Sequence, residues 1–142
     1  MIDSVQTLED FREAMLVSVR TNSRPSQVRL QFSARTGRTL YIEASGVLAF
    51  RVGNLGLRNL VARVVMPSGT PAQAMTITNN MKWMSAIEPA TQRLSDPLIE
   101  LATQRVLYGD LRMVVVEPLL GAQACVLCEH VRIATETNSD PP

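Results

Sequence analysis

Val28-Arg29-Leu30-Gln31-Phe32-Ser33 alternates strictly between apolar and polar side chains. Successive residues of a strand point to opposite faces, so this stretch reads as one strand of a sheet with a single buried face. Working outward, Arg35-Thr36-Gly37 supplies a turn, and Leu40, Ile42 and Ala44 form a second inward row with Tyr41 and Glu43 outside. Ser45-Gly46 reads as the next turn and Leu48, Phe50 and Val52 as a third inward row. Gly53-Asn54-Leu55-Gly56 is a loop, and Leu60, Ala62, Val64 and Met66 make a fourth row. Short strands joined by tight turns imply an antiparallel meander.

Upstream, Leu8, Phe11, Met15 and Val19 recur at helical spacing, Thr7 and Asp10 resemble a capping box, and Arg24-Pro25 closes the segment. An N-terminal helix is expected there. Downstream, Pro67-Ser68-Gly69-Thr70-Pro71 separates the meander from a helical middle. Thr78 would cap a short helix carrying Met81, Trp83, Met84 and Ile87, and Asp96-Pro97 opens a second that ends at Gly109. Two strands close the chain, 111–118 and 122–134, with a turn at Gly121. The expected fold is α+β: an N-terminal helix, an antiparallel sheet of about six strands, and one or two helices inserted between strands four and five. Residues 1–135 are expected to form a single α+β domain and 136–142 a flexible C-terminal tail.

The chain has 142 residues, 46% hydrophobic and 19% charged, enough to bury a core without metals or disulfides. Its apolar runs are too short to span a bilayer, and its polar, acidic N-terminus is unlike a secretory signal. A cytoplasmic location without membrane contact is expected. Charge is distributed unevenly. Between Ala14 and Met66 stand eight arginines, no lysine and one acid, Glu43, a formal +7, whereas residues 1–13 and 67–142 each sum to −3. A GC-rich genome would produce the same preference for arginine over lysine, and pairing with the chain's own acids would hide it.

Both cysteines and the single histidine fall within Cys125-Val126-Leu127-Cys128-Glu129-His130. Zinc needs about four nitrogen or sulfur ligands, and no other cysteine or histidine exists to complete the set. On a strand, Cys125 and Cys128 face opposite sides, which removes a redox pair. Cys128 and His130 would share a face, but about 7 Å apart along the backbone at roughly 3.3 Å per residue, too far for an easy dyad. No phosphate-cradling or nucleophile motif is present. No catalytic residue, metal or cofactor is expected, and the chain is not read as an enzyme.

The stretch Gly46-Val47-Leu48-Ala49-Phe50, followed by Arg58-Asn59-Leu60-Val61-Ala62-Arg63, is similar to segments of small uncharacterised bacterial α+β domains, as is Gly121 to Ile133. Some of those domains are immunity-type proteins that bind and neutralise a toxin. The resemblance implies a binder that works by occlusion. Residues and resemblance together lead to a non-catalytic protein-binding module for a partner with an acidic surface. Arg29, Tyr41, Arg51, Arg63 and Trp83 are its candidate contacts, because guanidinium pairs with carboxylate and tryptophan anchors interfaces. A homodimer through the uncapped strand 122–134 is a further partner arrangement. Nucleic-acid binding through the arginine-rich face is the alternative. Near-neutral net charge, pI ≈ 7.8 and few aromatics count against it.

Overall fold

The computed structural model describes residues 8–67, 73–86 and 96–136. A 3-10 turn, Leu8–Phe11, leads into β1 (Met15–Ser23), β2 (Ser26–Ser33), β3 (Thr39–Gly53) and β4 (Leu60–Val65). Two helices follow, α1 (Ala74–Ser85) and α2 (Asp96–Leu107), and then β5 (Arg112–Leu120) and β6 (Gln123–Glu136). The six strands are antiparallel neighbours and close into a barrel in the order β1-β2-β3-β6-β5-β4. The closing seam is short: β1 meets β4 at Met15 and Leu60.

This corrects the expected fold class. The molecule is mostly β, and the N-terminal helix is absent. Only the single turn Leu8–Phe11 is helical, Glu13 adopts a left-handed φ of 62°, and β1 begins two residues later. The residues at helical spacing divide between two elements: Leu8 and Phe11 lie in the 3-10 turn, and Met15 and Val19 in β1. Pairing of β1 with β2 slips between Leu16 and Ser18, so the inward residues Leu16 and Val19 stand three apart rather than two, and β1 shows no two-residue alternation. Thr7, the other half of the supposed capping box, lies outside the described residues.

A second correction concerns Ser45-Gly46, which is not a turn. One strand of 15 residues runs through it, bending at Gly46 (φ 62°) and slipping register between Val47 and Ala49. The side chain of Glu129 lies over Gly46, so a Cβ there would collide with it. Past the bulge, Val47 and Val52 pack against the barrel core, while Leu48 and Phe50 are exposed, contrary to the expected inward row. In β4 two register slips bury Val61 and Val64 instead of the row 60, 62, 64, 66. The expected number of strands thus arose from one strand read as a helix and another counted twice.

Two apolar clusters lie on either side of the β5–β6 wall. Inside the barrel, Leu30, Phe32, Ile42, Val114, Val116 and Val126 surround Phe11, whose ring meets Phe32 edge to face at 4.9 Å. Outside, Ile77, Met81 and Met84 of α1 and Ile99 and Val106 of α2 cover Met113, Val115, Cys125 and Leu127. Both faces of β5 are therefore buried, which accounts for the unbroken run Met113–Val116. Each such side chain contributes on the order of 1.5–3 kcal/mol by leaving water. Thr78 sits within α1 rather than capping it, and α2 ends where Gly109 turns left-handed at φ 85°. Ile87 and residues 68–71 lie outside the described residues. β6 extends to Glu136, taking in the first residue of the expected tail; 137–142 are not described.

Candidate anion-binding face

Strand register brings distant residues into one row on the outer face of the barrel. Arg20 of β1 pairs with Arg29 of β2, Arg29 with Glu43 of β3, and Glu43 with Arg132 of β6. The row crosses an open groove of ≈ 650 Å³, with Asn22, Gln27, Ser45 and His130 along one side. Directly opposed like charges destabilise a strand pair, so Arg20 beside Arg29 is an unfavourable pairing.

Glu43 is the single carboxylate among the three guanidinium groups. Arg132 donates to Glu43 Oε1 through Nε at 2.9 Å and also through a terminal nitrogen. Arg29 Nε lies 3.5 Å from Glu43 Oε2, an ion pair by charge but not a hydrogen bond, and that nitrogen is closed to solvent. Arg20 is exposed and makes no ion pair or side-chain hydrogen bond among the described residues. Beneath the row, the Arg29 guanidinium lies 3.9 Å from the centroid of the Tyr41 ring, and Tyr41 donates to Glu136 Oε2 at 2.6 Å. That hydrogen bond, with burial and the Glu136 charge, raises the phenol above its ordinary pKa. The ring face of Tyr41 thus holds the Arg29 guanidinium in place by a cation–π contact.

The five residues singled out from sequence divide among three places. Arg29 and Tyr41 meet at the groove. Arg51 and Trp83 meet elsewhere, with the guanidinium 4.5 Å from the Trp83 ring and donating to the Trp83 carbonyl at 2.7 Å. Trp83 also packs over Gly53, where an added Cβ would lie 3.1 Å from the ring. That pair fastens α1 to β3. Arg63 donates to Glu117 at 2.6 Å across β4 and β5. Arg20, Glu43 and Arg132 were missed as site residues. Arg20 was assigned to a helix, and Arg132 lies in the net-acidic part of the chain.

Cys125 and Cys128 face opposite sides of β6, one under the helices and one inside the barrel. Burial pushes their thiols up to about 12 and about 11, so neither is a nucleophile near neutrality. Cys128 is inaccessible while His130 is exposed, which removes the dyad. No cluster of three or more histidine, cysteine or acidic residues could hold a metal among the described residues. No helix among them is long and apolar enough to cross a membrane. The expected dimer strand is flanked by β3 and β5 across 124–128, so pairing along its whole length is closed; 129–136 has β3 on one side.

A second surface lies between α1, α2 and β3. Leu48, Phe50, Leu98 and Leu101 rim an apolar groove of ≈ 390 Å³ floored by Met81, Met84 and Leu127. Comparison with protein-family models, with curated proteins and with solved structures finds no match for this chain.

Proposed function

We propose that this protein is a non-catalytic binding module that takes an acidic surface of another protein on its arginine face. The carrying observation is the row Arg20–Arg29–Glu43–Arg132, in which Arg29 and Arg132 share the Glu43 carboxylate and Arg20 has no partner among the described residues. Exposed ion pairs of this kind are worth about 0–1 kcal/mol, so an incoming carboxylate displaces little. Bidentate guanidinium–carboxylate contacts would supply orientation, and the local positive field would speed encounter.

Two features favour protein over nucleic acid. Tyr41, the aromatic residue in this face, is covered by Arg29 and only 9% exposed, so it offers no base a stacking platform. On the separate α1–α2–β3 groove, exposed Leu48, Leu98 and Leu101 supply apolar contact area of the kind protein partners use. The module would act in the cytoplasm by occlusion or assembly, in the manner of the immunity-type domains its sequence resembles.

Affinity capture from the source cell, with nuclease present, tests this reading. Wild type should retain one protein near stoichiometry, and the double variant Arg20→Glu/Arg132→Glu should lose it while keeping its melting temperature. Captured material that vanishes with nuclease would instead make the face a phosphate-binding surface.

A further inference from the structure

β1 has β2 along its whole length on one side, but on the other it meets β4 only at Met15. From Val17 to Ser23 no strand among the described residues pairs with that second side, and none takes up its outward amide and carbonyl groups. An uncovered strand edge is a template for another strand. Two further observations bear on what would fit. Val17, apolar and β-branched, is 53% exposed at the bulge. The exposed charges on this hairpin are all positive: Arg20 and Arg24 lie on or next to the edge, and the first acid after Glu13 is Glu43.

Building on the protein-binding reading above, we propose that the free side of β1, Val17–Ser23, receives an extended acidic segment of the partner as an added strand. An acidic side chain then stands opposite Arg20, at the end of the row that continues through Arg29 and Arg132. The added strand satisfies the main-chain groups of the edge, its apolar side chains cover Val17, and its acid balances the Arg20–Arg29 repulsion. A second copy of this chain fits poorly. Antiparallel pairing of β1 with itself in the register that joins 17–23 to 17–23 would set two Arg20 side chains face to face, and the charge that keeps copies apart is the charge an acidic strand requires.

Amide hydrogen exchange on the full-length chain tests the proposal, using a short synthetic peptide alternating Glu and Val and a Lys–Val control. In the free protein the outward amides of 17–23 should exchange fast, independently of protein concentration. The Glu–Val peptide should slow them saturably, by about tenfold or more, the Lys–Val peptide should not, and Arg20→Glu should abolish the effect with its amide spectrum otherwise intact. Amides already slow in the free protein would mean that the chain covers its own edge; slowing only at high concentration would mean self-pairing. Either overturns the proposal. Perturbation of Arg29 and Arg132 without protection of β1 overturns strand addition but leaves the acidic-partner reading standing. A peptide without effect also overturns strand addition, and the capture experiment then decides that reading by itself.

Discussion

Asn59 is 6% exposed and makes three hydrogen bonds: Oδ1 accepts from Gly56 N at 2.9 Å and Ala122 N at 3.0 Å, and Nδ2 donates to Gly56 O at 2.9 Å. One side chain thus closes the β3–β4 loop and ties it to the β5–β6 turn. Gly121 completes the clamp, at φ 84°, where a Cβ would lie 2.4 Å from the Arg58 carbonyl. Asn59→Ala leaves the buried Ala122 N–H unsatisfied and should cost about 1–3 kcal/mol in urea unfolding; a cost below about 0.5 kcal/mol would show that the clamp carries little. The cysteines make a pH prediction. Their folded pKa values of about 12 and about 11 lie above the ordinary 9.0, so burial of the neutral thiols stabilises the fold below pH 9. That contribution declines as pH rises from 9 toward 11–12. Unfolding midpoints measured from pH 8 to 11 should fall more steeply for wild type than for Cys125→Ala/Cys128→Ala, and equal slopes would contradict the burial effect.

Among the elements, α1 depends most on one attachment. Arg51 reaches from β3 to the Trp83 carbonyl and stacks on its ring, while Ile77, Met81 and Met84 fill the outer cluster. Trp83→Ala should cost about 1–3 kcal/mol and speed amide exchange in α1 selectively, leaving the barrel strands protected. Uniform acceleration across barrel and helices would instead mean that both layers unfold as one unit. The strands differ in how openly they read from sequence. β2 keeps an unbroken two-residue alternation and was legible at once. β1, β3 and β4 each carry a register slip, and a single bulge converts the two-residue period into a three-residue interval. β1 therefore shows no alternation to set against the helical spacing of Leu8, Phe11, Met15 and Val19, and Leu48 looked buried.

For the molecule as a whole, charge is placed by the barrel rather than by the chain. The arginines of the site come from β1, β2 and β6, with the lone acid on β3. Glu43→Gln releases two guanidinium groups while removing only exposed ion pairs. Titration calorimetry should show several-fold tighter binding of an acidic partner, with stability changed by less than about 1 kcal/mol. Binding should also weaken as salt shortens the Debye length from about 10 Å at 0.1 M. Unchanged or weaker binding would assign Glu43 to the recognition surface itself. By itself, the sequence determined the antiparallel habit of the chain, the helical segment between the fourth and fifth strands and the cysteines' opposed faces. Each follows from local periodicity or from neighbours on an unbroken strand. Closure into a barrel, the bulges and the gathering of Arg20 and Arg132 around Glu43 were decided only by tertiary structure. They depend on strand register between residues as far apart in the chain as Thr39 and Glu136, and no window of sequence contains that register.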